Sequence, residues 1–358
     1  MNTREDPTYA ASRRRFHVEA ESAGAATIGN HCCPHLGPDG EEIFVDVVRL
    51  GALDASNVLL LISGTHGVEG YCGSMIQSDL LSSGSLGNLP DDTAVVLIHA
   101  LNAFGFAWNR RVTEEGVDLN RNFVDFSRPP HSDPQFDVAL ANLLTPSPDT
   151  RVESDAELVL WAQCHGPAAR AIIAGGQFAH PAAPFFGGHA PTWARTVLEA
   201  IVDSHVAKAT RICVIDYHTG LGSTGTGQLI GTTGESMREV EDARAVWGTE
   251  YVPAGDAGSV SYDLHGDLIG AVRRRCASAR VLAAAHEFGT VDEMTVLAAL
   301  RSDHGAWRHG DSGGTCDARA AMLKAFFLTN SDWSASVKAA SRKSAQQAIG
   351  WLATKGLD

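Results

Sequence analysis

The chain has 358 residues, of which 44% are hydrophobic and 20% charged, and its formal net charge is -14 at pH 7. This acidic balance disfavours nucleic acid and anionic membranes as partners, because both attract basic surfaces. No segment approaches the roughly 18 uninterrupted apolar residues that a membrane span needs. The composition therefore predicts a soluble globular protein with one sizeable core.

The N-terminus and the cysteines indicate the cellular compartment. Residues 1–16 carry charges of both signs and lack the apolar segment of a secretory signal, so a cytoplasmic location is expected. The 7 cysteines are odd in number and scattered, which favours reduced thiols over a disulfide framework. Cys32 and Cys33 lie in the segment HCCPH, but this spacing matches no structural zinc pattern, and a structural role is expected there.

Apolar runs alternate with helical patterns along the chain. The runs predict strands at 58–62, 94–99, 171–175, 212–216, 228–233 and 280–288. Helical spacing predicts helices at 72–82, 135–144, 154–164, 193–209 and 291–301, and an Ala-rich helical C-terminus at 318–352. Such alternation predicts an α/β fold with a largely parallel sheet, whose active site lies at the carboxyl ends of the strands.

No long linker divides the chain. Strand signals continue on both sides of the Pro-rich stretch 128–134 and the Gly-rich stretch 220–234, so both are interpreted as loops within a domain. The chain is therefore expected to be one domain over 1–358, with residues 1 to about 20 at its periphery.

A histidine and a glutamate follow the first predicted strand, in GTHGVEG at 64–70. Side chains three residues apart converge on one ion when the chain turns between them, and Gly67 favours such a turn. The spacing from His66 to Glu69 also recurs by chance in sequences without a metal. Its position directly after a buried strand is what favours a metal site.

Two further strand ends carry residues of the same kind. His218 follows the strand at 212–216, and Glu287 lies at the end of the strand at 280–288. Two histidines and one glutamate are the ligand set of catalytic zinc sites that keep a fourth position for water. A further carboxylate would accept a proton from that water.

The segment RRVTEEGVDLNRNF, at 110–123, lies between these strands. An arginine and an Asn-Arg pair beside a metal site suit a substrate with a carboxylate, which a guanidinium group binds in bidentate fashion. The alternative is that these arginines form ion pairs on the surface.

These motifs have a recognisable order. H-x-x-E, then R-x6-D-L-N-R-N-F, then a strand-borne D-x-H-T and a late glutamate resemble the carboxypeptidase-A-like zinc carboxypeptidase superfamily, which includes succinylglutamate desuccinylase and aspartoacylase. The segments GQFAHP (176–181), FGG (186–188), PTW (191–193) and EFGT (287–290) are similar to an uncharacterised bacterial branch of it, described as a domain of unknown function. The likeness covers about residues 35–310 and implies a three-layer α/β/α sandwich around a mixed, largely parallel, twisted sheet.

The resemblance implies a role for each matching residue. His66, Glu69 and His218 match the three ligands of one zinc ion per chain. Asp118 matches the carboxylate that orients the first histidine, and Glu287 matches the general base.

The substrate-binding residues follow from the same resemblance. Arg111 matches the arginine that stabilises the developing oxyanion, and Asn120 and Arg121 match the pair that holds the terminal carboxylate of the substrate. Peptidases of the superfamily also carry a mobile tyrosine before the base; Tyr251 and Tyr262 are the candidates for it, and Tyr262 is the better placed. His180 is a further candidate, because it follows a predicted strand and a Gly-Gln pair.

The resemblance implies a zinc-dependent hydrolase of amide bonds that acts on a small peptide. An N-acyl amino acid deacylase of the aspartoacylase kind is a near alternative, because it shares the metal and the base. A binding module that holds a metal or peptide without catalysis is a third, although such a module needs neither Glu287 nor Arg111. A different divalent ion also remains open, since affinity alone does not select zinc.

Overall fold

The computed structural model describes residues 7–128, 132–261, 264–310 and 312–354. Within these residues, eight strands form one sheet: β1 (Ala26–Leu36), β2 (Glu42–Leu50), β3 (Asn57–Ser63), β4 (Thr93–His99), β5 (Arg211–Thr224), β6 (Gly227–Ile230), β7 (Tyr251–Val252) and β8 (Arg280–Gly289).

Twelve α-helices belong to the same described part of the chain: α1 (Tyr9–Ser22), α2 (Gly70–Ser82), α3 (Ala103–Ala107), α4 (Val138–Leu144), α5 (Arg151–His165), α6 (Ala168–Ala174), α7 (Trp193–His205), α8 (Met237–Trp247), α9 (Leu268–Arg275), α10 (Glu293–His309), α11 (Ser312–Phe326) and α12 (Ser331–Ala353). No helix in the described ranges is both long and apolar enough to cross a membrane.

The centre of the sheet is parallel and its flanks are largely antiparallel. The strand order is β1-β2-β4-β3-β5-β8-β6-β7, in which β4, β3, β5 and β8 run parallel. All seven residues of β3 are buried, as expected of a central strand that is covered on both faces. The carboxyl ends of β3, β5 and β8 therefore meet at one edge of the sheet.

Helices cover both faces of the sheet. Leu60 and Ile62 of β3 pack into an apolar core with α7 and α9, whereas Leu59 and Leu61 pack into a second core with α2 and α12. This alternation follows from the two-residue period of a strand. The predicted three-layer α/β/α sandwich around a mixed, largely parallel sheet is confirmed.

A third apolar cluster lies outside the two sheet cores. It is built by α4, α5, α6, α10 and α11, and it includes Val68, which lies in the 3-10 turn after β3. The predicted strand at 171–175 is wrong, because Ile172 and Ile173 belong to α6 and pack into this cluster. A short apolar run does not by itself distinguish a strand from a buried helix.

Further predictions concern the C-terminal helix, the Gly-rich stretch, the N-terminus and the cysteines. The helix predicted at 318–352 is two helices, because Asn330 caps a new N-terminus by accepting a hydrogen bond from the backbone N–H of Trp333. The Gly-rich stretch 220–234 is partly strand, since β5 and β6 extend into it. Helix α1 buries Phe16 against the sheet, and all seven cysteines are free thiols.

Candidate active site

His66 and Glu69 lie on one short turn after β3. Gly64 begins this turn at φ +74°, a conformation that other residues rarely adopt. His66 then caps a 3-10 turn that ends at Glu69, and its Nδ1 lies 2.9 Å from Oε1 of Glu69. A Cβ at Gly67 would lie 2.0 Å from the backbone of Gly105, so only glycine lets the turn pack this closely against α3.

His218 and Glu287 reach the same place from neighbouring strands. They are paired opposite each other in the parallel ladder of β5 and β8. Nδ1 of His218 lies 2.9 Å from Oε2 of Glu69 and 3.2 Å from Nδ1 of His66. The ligand atoms of the two histidines and Glu69 all lie within 4.8 Å of one another, and all three residues are buried.

The other nitrogen of each imidazole is held by a carboxylate. Nε2 of His66 lies 3.1 Å from Asp118, and Nε2 of His218 lies 2.7 Å from Asp216. Because a neutral imidazole has one N–H, donation from Nε2 leaves a lone pair on each Nδ1. Both lone pairs then face each other and the Glu69 carboxylate, which is also an acceptor. Two imidazole nitrogens and a carboxylate that converge on one point in this way fit a metal ion.

The carboxylates around the two histidines favour a positive charge at this group. Burial alone raises the pKa of Glu69, but His66 and His218 outweigh it and hold that pKa below its ordinary value. Burial likewise lowers the pKa of His218, but Asp216 and Glu69 outweigh it and raise that pKa well above its ordinary value. Each shift therefore reports attraction between the imidazoles and the surrounding carboxylates.

Glu287 lies beside this group, in a less favourable place for a negative charge. Burial, followed by repulsion from Glu69, raises the pKa of Glu287 to about 8. Its Oε1 accepts a hydrogen bond of 3.0 Å from the backbone N–H of Leu221. A carboxyl group whose pKa lies near neutral both accepts and returns protons efficiently, which suits a general acid or base.

The two adjacent arginines have different surroundings. Arg111 donates from Nη1 to Glu69 and from Nε to Asp118, each at 3.0 Å. Arg110 points elsewhere and forms a buried ion pair with Asp303. The structure therefore brings Arg111 to the predicted site, and it leaves Arg110 outside.

Asn120 and Arg121 follow Asp118 on a second 3-10 turn. Oδ1 of Asn120 accepts a hydrogen bond from the backbone N–H of Leu268, at the start of α9. Nη2 of Arg121 donates to the carbonyl oxygen of Ala174, at the end of α6. These bonds hold both side chains rigidly in the wall of the cavity described next.

One cavity of about 890 Å³ contains the candidate site. Its polar end is lined by His66, Arg111, His218 and Glu287, together with Asn120 and Arg121. Much of its remaining wall is apolar and comes from α5, α6, α10 and Phe326 of α11, and residues around β6 and the start of α9 also line it. The chemically active groups thus meet at one end of a much larger space.

The remaining candidates from the sequence do not join the site within the described residues. Tyr262 lies outside the residues that the structure describes. Tyr251 is buried in the core, where it stacks on Trp247. His180 stacks on Phe136 and is not among the residues that line the cavity.

Two residues of the site were missed by the sequence argument. Asp216 lies two residues before His218, so both point to the same face of β5; the D-x-H spacing on a strand was the available signal. Phe185 lines the cavity with φ +61°, and the guanidinium groups of Arg111 and Arg121 lie 5.5 and 5.9 Å from its ring. Nothing in the local sequence indicates Phe185.

Comparison with known proteins shows the family. A family model described as a protein of unknown function, DUF2817, matches residues 7–340, and the chain belongs to this family. The predicted membership of a branch described as a domain of unknown function is thereby confirmed. No curated protein matches the chain in sequence.

Several solved structures are similar to the chain. Carboxypeptidase A from Helicoverpa armigera is 11% identical, with 89% of this chain and 74% of that chain covered and a TM-score of 0.47. A succinylglutamate desuccinylase from Silicibacter sp. is 12% identical, with 89% and 69% covered and a TM-score of 0.44. An aspartoacylase family protein from Mesorhizobium loti is 11% identical, with 80% and 67% covered and a TM-score of 0.39.

Proposed function

We propose that this chain is a zinc-dependent hydrolase that cleaves an amide or peptide bond in a small, carboxylate-bearing substrate. The observation that supports it most is the convergence of the ligand atoms of His66, Glu69 and His218 beside the buried Glu287. Two imidazoles and one carboxylate favour zinc over magnesium or calcium, which prefer oxygen ligands. One zinc ion is expected per chain.

The residues around the ligands have distinct tasks in this reaction. When bound, zinc supplies a Lewis acid that polarises the substrate carbonyl and makes water more acidic. Glu287 accepts a proton from the attacking water and returns it to the nitrogen of the leaving amine. Arg111 donates hydrogen bonds to the carbonyl oxygen as its negative charge develops. Asp118 and Asp216 orient the imidazoles of His66 and His218.

Substrate recognition is assigned to the turn that follows Asp118. Asn120 and Arg121 line the same cavity as the proposed ligands and are held by bonds to α9 and α6. A rigid arginine is suited to a planar carboxylate, which it binds through parallel hydrogen bonds. We assign to this pair the carboxylate of the amino acid that leaves.

Metal content tests the first part of the proposal. Protein purified without chelator, analysed by elemental mass spectrometry, is expected to contain about one zinc per chain. His66→Ala and His218→Ala should lose it, whereas His180→Ala should keep it, because His180 stacks on Phe136 instead. Absence of metal from the wild type, even after zinc is supplied, would overturn the hydrolase proposal in favour of a non-catalytic module.

Substrate panels test the second part. Zinc-loaded protein is given dipeptides with a free carboxylate and N-acyl amino acids, and the released amine is measured. Cleavage of the dipeptides supports a peptidase, and cleavage of the N-acyl amino acids supports a deacylase. Glu287→Gln serves as the inactive control, because it keeps the size of the side chain and removes the base.

A further inference from the structure

The cavity extends from the candidate ligands into a space bounded by helices. We call this space the helix-walled chamber and define it by six apolar side chains that line it: Leu158, Ile173, Phe185, Val296, Leu300 and Phe326. All six are buried within the third apolar cluster, so their positions are set by packing. The chamber is therefore a preformed apolar surface.

The chamber adjoins the catalytic end of the cavity. Val68, which lies between His66 and Glu69 in the sequence, is fully buried in the same apolar cluster as Phe326. Thr219, next to His218, donates a hydrogen bond of 2.8 Å to the carbonyl oxygen of Phe326. A group that occupies the chamber would thus be continuous with one held at the proposed metal.

The charged residues along this part of the cavity neutralise one another. Arg301 pairs with Asp155, and Nε of Arg170 lies 2.7 Å from Oε1 of Glu293. Because each charge already has an opposite partner, the wall offers no net charge to a substrate. It favours a neutral, apolar group over a charged peptide side chain.

The entrance to the same space is also apolar. Val159 and Met294 line the cavity although 46% and 62% of their surfaces are exposed. Large apolar residues that are exposed at the mouth of an apolar cavity are typical of a binding site. A long apolar group thus remains in contact with apolar side chains from the mouth inward.

The wall of the cavity beside Asn120 carries both polar and apolar side chains, and Ile230 and Ile269 are among the apolar ones. Thr232 donates a hydrogen bond of 2.6 Å to Asp267, and both line the cavity. Asp267 directly precedes Leu268, whose backbone N–H binds Asn120. An amino acid whose carboxylate lies at Asn120 and Arg121 therefore places its own side chain near this mixed wall, and the apolar chamber is left for the acyl part.

We propose that the substrate is an N-(fatty acyl) amino acid whose aliphatic chain lies in the helix-walled chamber. This inference rests on the proposed hydrolase function and names its substrate class. Water adds across the C–N bond, so the acyl carbon gains a hydroxyl to give a fatty acid and the nitrogen gains a proton to give a free amino acid. The cavity volume of about 890 Å³ is near the upper end of the usual range for ligand sites, and a short acyl group would fill little of it.

The test uses zinc-loaded protein and a series of N-acyl alanines with acyl chains from acetyl to dodecanoyl. Burial of each methylene is expected to raise kcat/KM by up to about fourfold until the chamber is filled. Ala162→Trp, which places an indole where Ala162 of α5 lines the cavity, should abolish this rise with chain length. Ala156→Trp on the exposed side of the same helix is the matched control and should keep it.

Binding separates a failure of this inference from a failure of the hydrolase function. The same series is titrated by calorimetry into zinc-loaded Glu287→Gln. Affinity that rises with chain length, without hydrolysis by the wild type, would support the chamber and overturn the hydrolase. If hydrolysis and binding do not depend on the length of the acyl chain, the role of the chamber in acyl binding is overturned, and the hydrolase function still stands. A second series of N-acetyl amino acids with lengthening apolar side chains is titrated in the same way, and a rise in affinity confined to that series would overturn the assignment of the chamber to the acyl part.

Discussion

Two clusters of buried charge in this protein differ in how their charges are balanced. In one, Arg110 and Asp303 face each other with side-chain exposures of 1% and 2%, and Nη2 of the arginine lies 2.9 Å from the carboxylate. In the other, His66, Glu69 and His218 present hydrogen-bond acceptors to one another. In the first cluster each charge faces one opposite charge, whereas the second brings two imidazole nitrogens and a carboxylate to one point.

This difference teaches that burial of charge does not by itself indicate function. Arg110 and Arg111 are consecutive and both carry a guanidinium group, yet one completes an ion pair and the other joins a cluster of surplus acceptors. A balanced buried pair contributes to the fold when both partners are present. Imidazole nitrogens that converge with a carboxylate are suited to hold a metal ion, and that is what distinguishes the candidate site from a structural ion pair.

The largest effect on stability is expected from the balanced cluster. Asp303→Ala leaves the charge of Arg110 buried without its partner, which should lower the free energy of unfolding by about 3–5 kcal/mol. Urea denaturation measures this loss. The double variant Arg110→Met, Asp303→Ala should recover part of it, because no unpaired charge remains. A loss of bound zinc in folded Asp303→Ala would instead contradict the separation of the two clusters.

Glu287→Gln should lower the activity of the protein and leave its stability intact. We expect turnover to fall by about 10²-fold or more, because the amide cannot accept the proton of the attacking water. Zinc content should be unchanged, and the free energy of unfolding should stay the same or rise, since a buried carboxyl with a raised pKa is removed. Steady-state kinetics and urea denaturation of the same preparation test both expectations. Unchanged turnover would exclude Glu287 as the base.

Asp216→Asn tests whether the carboxylate behind His218 positions a ligand. The amide cannot hold the imidazole N–H as strongly, so zinc affinity is expected to fall about 10- to 100-fold. Competition with a chromophoric chelator measures it. Asp125→Asn, at an aspartate whose side chain is 61% exposed, is the matched control and should leave the affinity unchanged. Equal affinity in the two variants would assign Asp216 a structural task alone.

The smallest effect is expected at Asp46, a balanced buried charge at the edge of the molecule. Burial alone raises the pKa of Asp46, but hydrogen bonds from His17 and Arg13 outweigh it and hold that pKa below its ordinary value. Its ionised form therefore stabilises the folded state above the unfolded pKa of about 3.9. This contribution, about 1–2 kcal/mol, is lost as the pH falls below that value towards the folded pKa.

Urea denaturation between pH 7 and pH 2.5 measures this dependence. Asp46→Asn is expected to lose less stability than the wild type over the acidic part of the range, because its amide does not titrate. Parallel curves for the two proteins would show that Asp46 contributes nothing to the pH dependence.

Much of the site was predictable because its signals are local. Continuous apolar runs identify β3, β5 and β8, and parallel neighbouring strands bring their carboxyl ends to one edge. His66, Glu69, His218 and Glu287 follow or end those runs, so their meeting was expected from the sequence. The structure brings His66, Glu69 and His218 together, and the three-layer fold that positions them is as predicted.

Other features required partners that are distant in the sequence. The segment 171–175 is helical, and Ile172 and Ile173 are buried in the third apolar cluster, to which α10 and α11 contribute from more than 100 residues later. The different partners of Arg110 and Arg111 likewise depend on the direction in which each side chain leaves the turn.

By itself, the sequence determined the central strands, the order of the layers and the chemical groups at the strand ends, since these follow from local patterns and a short turn. Only the tertiary structure decided which arginine joins the site, that Asp216 holds His218, and that an apolar chamber adjoins them. The physical reason is that buried charges and cavity walls are defined by partners, and packing brings those partners together from distant parts of the chain.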